Sequence, residues 1–309
     1  SHFAVHFSPI FYIALPIYFI FDNAITVQLI QAFMVAIPVI PILLLCKHHK
    51  LSNQMAIAVS LIYALYPATA GGTFYDIHEN CFITFFLLML AWAGEKKKNV
   101  AAVIFAILSL MVKEDAPVYV FILGIFFLFS KKDKKRGVIL IVASAIYFAM
   151  ATAIVNSYGL GIQEYRFGNL YFTQDGGLIQ VFETLLANPG YAISQIIRNT
   201  NDNSMDKIGY IISMLVPVAA VLFTTGKKYS RYILLLPFII INLLPTYLYM
   251  HDITFQYDFS VIALMMYAII LNIADMDINR AKKLATVSVI CASVMFMGSI
   301  YQKAPYYVS

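Results

Sequence analysis

Long apolar runs, each closed by a short plug of lysine and arginine, recur down this chain and leave it one kind of solvent. Of its 21 Lys and Arg, 16 fall in five clusters: Lys47 and Lys50; Lys96 to Lys98; Lys131, Lys132, Lys134, Lys135 and Arg136; Lys227, Lys228 and Arg231; Arg280, Lys282 and Lys283. Charged residues make up 12% and apolar ones 61%, where soluble domains carry about 25% and about 45–50%. A chain of 309 residues this poor in charge cannot cover its own surface against water, so lipid must take that place. A nucleic-acid reader would interleave its cations with polar and aromatic side chains on a folded face. Plugs between apolar runs are instead the positive-inside pattern of a multi-pass membrane protein. Nucleic acid is thereby excluded as a partner, as are secreted disulfide scaffolds and disordered chains. Cys46, Cys81 and Cys291 lie at or inside apolar segments without CxxC spacing and read as free buried thiols.

The expected fold is all-α: a single polytopic membrane domain, 1–309, of about ten transmembrane helices with interfacial helices on the outer face. Apolar length places the spans near 24–46, 53–70, 80–94, 99–112, 116–130, 137–156, 207–225, 231–249, 257–274 and 284–300. With ten spans all five basic clusters share one side, read as the cytoplasmic side of the cell membrane. Eleven of the 16 acids fall opposite: Asp76, Glu79, Glu114, Asp115, Glu164, Asp175, Glu183, Asp202, Asp206, Asp252 and Asp258. Residues 8–21 are too short to span and read as an outer interfacial helix opened by a Ser8 cap and Pro9. The outer loop 157–206 carries two amphipathic stretches, one on Leu178, Ile179, Phe182, Leu185 and Leu186, the other over 192–197, with Asn188-Pro189 between them. The prolines Pro38, Pro41, Pro237 and Pro245 read as kinks. The chain opens at Ser1 without Met, and the expectation is a fragment lacking a first span and a first outer loop.

The Lys113-Glu114-Asp115 turn interrupts a long apolar run. Three charges facing lipid at mid-depth would cost about 2.5–3.5 kcal/mol each, so they must face a cavity, a recess or the outer surface. Two readings stand for this turn. In one, Asp115 caps the next helix and Lys113 pairs with Glu114; in the other, Lys113 and Glu114 serve a site. Tyr75-Asp76-Ile77-His78-Glu79, at the next outer turn, offers acids and an imidazole suited to general-base work, sugar hydrogen bonding or, weakly, a divalent cation; its structural reading is a helix start. His6, before Ser8-Pro9, and Arg166, between Tyr165 and Phe167, are candidate phosphate partners, Arg166 bidentately. Tyr257-Asp258 and His251-Asp252 read as part of an outer aromatic belt. No Gly-rich phosphate loop, HExxH or Ser/His/Asp set occurs.

Read together, His6-Phe7-Ser8-Pro9, Tyr66-Pro67, Phe74 to Glu79, Val112 to Asp115, Tyr165 to Leu170 and Asn188-Pro189 resemble the ordered landmarks of an uncharacterised bacterial and archaeal membrane family, domain of unknown function 2079. Phe74 to Glu79 departs from that family's Asp-Phe-His-Pro-Glu, having Ile77 before His78 and no proline after it. The family is more distantly similar to GT-C glycosyltransferases of the protein mannosyltransferase type, which use polyprenyl-phosphate sugars. That resemblance implies a GT-C-like enzyme acting at the outer face, with membrane lipid and a polyprenyl-phosphate sugar as its partners and no cofactor. In those GT-C enzymes the catalytic acid lies in the first outer loop, so the acids here are read from the chemistry. Transfer from a lipid phosphate needs a carboxylate for the acceptor hydroxyl and a cation for the departing phosphate. Asp76, Glu79 and Glu114 are the candidate catalytic acids, and Lys113, Arg166, His6 and His78 the candidate phosphate partners. A transporter or flippase of a lipid-linked substrate, and a non-catalytic membrane subunit, are the alternative readings; the first would show repeated halves, the second no convergent polar cavity.

Overall fold

The computed structural model describes residues 6–74, 76–158, 164–173, 177–198 and 206–301, and among them every regular element is helical. Tyr75, Asp175 and Asp202, named above, lie outside the described residues, as does the side chain of Glu164. Helix α1 (Phe11–Ile20) is exposed along most of its length, and α2 (Ala24–Ala36) and α3 (Val39–His48) follow as one apolar column bent at Pro38. The Ser8 cap is not formed: the helix opens at Phe11, and Ser8 is buried with its hydroxyl unpartnered. Next come α4 (Asn53–Ala64), capped by Ser52, and the short α5 (Pro67–Gly71), split from it where Tyr66 is extended ahead of Pro67.

A 3-10 turn, Glu79–Phe82, leads into α6 (Ile83–Glu95), and α7 (Asn99–Leu110) and α8 (Ala116–Phe129) follow. Helix α9 (Lys134–Ser157) is 24 residues long, with Asp133 as its cap. The amphipathic stretches form α10 (Leu178–Ala187) and α11 (Pro189–Ile197), and the Asn188 side chain accepts from Tyr191 N between them. After α12 (Asp206–Leu215) and α13 (Ala219–Leu222), a distorted helix over 229–243 changes from 3-10 to π winding at Pro237. Helices α14 (Phe259–Ala274) and α15 (Ile278–Phe296) complete the described fold.

Among the described residues four helices are long and apolar enough to cross a membrane: Ala24–His48, Lys134–Ser157, Gln256–Ala274 and Ile278–Ile300. The other apolar segments are shorter or broken; α7 and α8, of 12 and 14 residues, reach about 18 and 21 Å against a hydrocarbon core of about 30 Å. Burial separates the long helices into two kinds. Every residue of α14 from Phe259 to Ile273 is buried, so this helix, covered all round, is the axis of the bundle. The others expose apolar ridges at helical spacing: Ile25, Leu29 and Phe33; Ile139, Val142 and Ile146; Val287, Ile290 and Val294. In water such ridges would be ruinous; against acyl chains they are matched.

The basic clusters stop helices. Lys50, Lys97 and Lys132 each adopt positive φ just past α3, α6 and α8, and N–H groups of Leu51, Lys98 and Lys131 reach back to the carbonyls of Cys46, Ala93 and Phe126. These are left-handed helix caps in which the lysine charge also meets the negative end of the helix dipole. Contacts then gather the clusters at one end of the bundle. His48, His49 and Lys131 meet Glu95; Ser230 meets Ser130; Lys228 and Arg231 meet Asp275, next to the Asp277 cap of α15.

Helices α8 and α9 approach closely through Gly124 and Gly137. A Cβ on Gly137 would lie 2.8 Å from Leu128 N and 2.9 Å from Gly124 O, backbone atoms that cannot swing aside. Gly137→Val should therefore cost about 1–3 kcal/mol by overpacking. The expected result is a lower thermal midpoint in detergent; an unchanged midpoint would mean that α8 and α9 can part freely.

Candidate functional site

The end of the bundle remote from the basic clusters carries the charges that the apolar pattern cannot explain. The short α7 and α8 meet at the Lys113 turn, and the extended backbone before Glu79 brings a second turn beside it. Lys113 is 3% exposed, and its Nζ lies 2.8 Å from Glu79 Oε1 and 3.4 Å from Asn80 Oδ1. Glu114 turns the other way: its Oε1 is 2.7 Å from His6 Nδ1, and its Oε2 accepts from Phe7 N at 2.9 Å. The neighbour pairing of Lys113 with Glu114 is thus replaced by two long-range links, because adjacent residues in a tight turn point apart. The N-terminal strap and the Glu79 turn are both tied down on this one turn.

Asp115 is the exception. It stands at the N-cap position of α8, as the sequence suggests, yet its side chain makes no cap hydrogen bond. Among the described residues its carboxylate has no hydrogen bond or ion pair, and it lines a cavity. Burial raises its pKa to about 6, against the opposing pull of Lys113 and with added push from Glu114 and Glu79. Its neighbours go the other way. Burial pushes the Glu79 carboxyl up, but Lys113 more than reverses this and holds it at about 2. Glu114 is also lowered: burial opposes ionisation, and the His6 contact and Lys113 outweigh it. Two carboxylates held ionised and one whose pKa lies at about 6 thus meet around this turn.

Arg166 comes from a 3-10 segment, Glu164–Leu170, anchored where Thr246 N donates to Arg166 O at 3.0 Å. Arg166 is 7% exposed, and its guanidinium lies over Tyr247 (4.3 Å to the centroid) and Tyr257 (5.5 Å). Lys113 Nζ sits 5.5 Å from the same Tyr257 ring. One buried tyrosine thus spaces two cations, so the aromatic-belt reading of Tyr257 is corrected: the ring is inside the protein. Among the described residues Arg166 has no ion pair, and its Nε is buried without a hydrogen-bond partner. An unneutralised buried guanidinium asks for an anion.

Lys113, Glu114, Asp115 and Arg166 line a cavity of about 480 Å³. Apart from Ser144 the rest of its wall is apolar, built by residues that include Phe121 of α8, Phe148 of α9, Val181 and Leu185 of α10, and Ile240 and Ile241 of the distorted helix. A polar cluster at one part of a greasy chamber suits a ligand with a charged head and a hydrocarbon tail. A second cavity, about 530 Å³, lies among Asn169, Phe172, Glu183 and Tyr191 and lacks any such pairing of acid and cation.

Of the residues expected from the sequence, His6, Glu79, Lys113 and Glu114 form one connected cluster, and Arg166 joins it across Tyr257. His78 is half-buried beside them, its pKa lowered by burial. Asp76 is exposed and enters none of these contacts. Asp115, read only as a cap, and Tyr247 were passed over; the missed signal was a third charge in a turn that needs only one cap.

The chain belongs to a family described as predicted membrane protein (DUF2079), whose profile matches residues 1–306. No curated protein and no solved structure matches it.

Proposed function

We propose that this member of the family is a membrane-embedded, GT-C-like glycosyltransferase that uses a polyprenyl-phosphate-linked sugar at the outer face of the cell membrane, the basic end of the bundle lying on the cytoplasmic side. The observation that carries the proposal is Arg166: a buried side chain, its guanidinium over two tyrosines and without a carboxylate among the described residues, opening on a largely apolar chamber that also holds an acid whose pKa is raised to about 6.

In this reading the isoprenoid tail lies along Phe121, Phe148 and the apolar face of α10, and the phosphate rests against Arg166 with Lys113 nearby. The acceptor hydroxyl attacks the anomeric carbon of the sugar. The bond between that carbon and the phosphate oxygen breaks, the hydroxyl proton passes to Asp115, and the departing phosphate keeps the electron pair, stabilised by Arg166 and Lys113. Glu79 and Glu114, fixed by Lys113 and by His6 with Phe7 N, position the turn that presents Asp115. The exposed residues Ile179, Phe182 and Leu186 of α10 seat that helix in the headgroup layer, where a lipid would enter. Convergence of the charges on one chamber favours a site over a non-catalytic subunit.

The test is native mass spectrometry of the detergent-solubilised protein with undecaprenyl phosphate. One bound lipid per chain is expected for wild type. Arg166→Ala should weaken binding about 10- to 150-fold, the worth of about 1.5–3 kcal/mol for hydrogen bonds to a charged group. Arg166→Lys should recover little of it, because an ammonium cannot make a planar fork or stack on Tyr247. Equal binding by wild type and Arg166→Ala would remove the phosphate from this site.

A further inference from the structure

The opposite end of the bundle holds a second cluster that the proposed reaction does not use. Helix α3 ends in His48, His49 follows as its cap, and α6 ends in Glu95. His48 Nε2 lies 3.3 Å and His49 Nε2 2.6 Å from the same atom, Glu95 Oε2. The three ligand atoms lie within 4.8 Å of one another. The His49 Nε2 atom is shielded from solvent and faces this carboxylate oxygen. The other carboxylate oxygen is separately held: Lys131 Nζ and the Tyr267 hydroxyl each lie 2.5 Å from Glu95 Oε1.

We propose that His48, His49 and Glu95 form a binding site for a divalent transition metal. Two imidazole nitrogens and one carboxylate oxygen, with a position left for water, make a borderline ligand set suited to Zn²⁺ or Co²⁺. Metal bonds of about 2.1 Å at a tetrahedral angle put ligand atoms about 3.4 Å apart. His48 already meets that spacing with Glu95, and His49 needs to withdraw by less than about 1 Å. Lys131 and Tyr267 act from outside, fixing the carboxylate so that Oε2 alone faces the imidazoles. Mg²⁺ and Ca²⁺ are hard cations that take oxygen ligands, so a set with two imidazole nitrogens and one carboxylate makes them poor occupants. His48 and His49 side chains are 27% and 19% exposed, which leaves the ion a way in from the basic end. Bound metal would clamp α3 to α6, about 20 Å along α6 from the Lys113 turn, since that helix has 13 residues.

The experiment uses the full chain in detergent, freed of any histidine tag and stripped with chelator, then titrated with Co²⁺ and followed by visible absorption. Wild type should bind one equivalent with a d–d spectrum of low-coordinate cobalt, and Zn²⁺ should displace it. Glu95→Gln and His49→Ala should lose the spectrum. His49→Cys should restore binding and add a thiolate-to-metal charge-transfer band, which separates loss of a ligand from loss of the fold. No spectrum in wild type, the same spectrum in Glu95→Gln, or no new band in His49→Cys would each overturn the assignment.

Discussion

Asp115→Asn should lower the release of polyprenyl phosphate from a polyprenyl-phosphate sugar by about 10²- to 10⁴-fold, the usual contribution of one general base. Lipid-phosphate binding should be retained, because Asn keeps the shape of the side chain and leaves Arg166 untouched. The pH profile carries the same claim. With its pKa raised to about 6, Asp115 is the base only when ionised, so turnover should fall about tenfold per unit below that pH. Stability runs in the reverse sense. A carboxyl whose pKa is raised by folding stabilises the protein in its protonated form, and that contribution is lost as pH rises from about 4 to about 6. Thermal stability and turnover should therefore move oppositely across this window. Turnover flat from pH 5 to 8, or intact in Asp115→Asn, would remove Asp115 from the reaction.

The second large effect is on folding. Lys113→Met leaves the Glu79 carboxylate buried without its counter-ion, and breaking one side of such a pair costs about 3–5 kcal/mol. The double variant Lys113→Met with Glu79→Gln should lose clearly less than the two single variants added together, since neither charge is then stranded. Acid should mimic the loss. The Glu79 pKa is depressed, so its contribution is fully present above the ordinary glutamate value of 4.5 and vanishes as pH falls through about 2. Thermal midpoints of the four proteins check this directly. Strictly additive losses would mean that Lys113 and Glu79 do not depend on each other.

Part of this was legible in the sequence because it depends on pattern. Apolar runs and basic plugs announced a helical membrane protein and marked where helices stop, and the contacts that gather the plugs at one end agree with that pattern. The Asn188-Pro189 break between α10 and α11 was equally plain, since its chemistry is local. The pairings at the site were not legible. Lys113 finds Glu79, and Glu114 finds His6 across more than a hundred residues, where a linear reading offers each its neighbour. Arg166 stacks not on the flanking Tyr165 or Phe167 but on Tyr247 and Tyr257. The His48, His49 and Glu95 cluster had one faint sign, an acid placed directly before Lys96 in a basic plug.

The central claim is that a lipid phosphate sits on Arg166 with its tail in the apolar chamber. A structure of the protein with undecaprenyl phosphate tests it most directly. The account requires the phosphate within hydrogen-bond distance of the Arg166 guanidinium and the isoprenoid chain against Phe121 and Phe148. A lipid bound elsewhere, with Arg166 contacting only its two tyrosines, would contradict it.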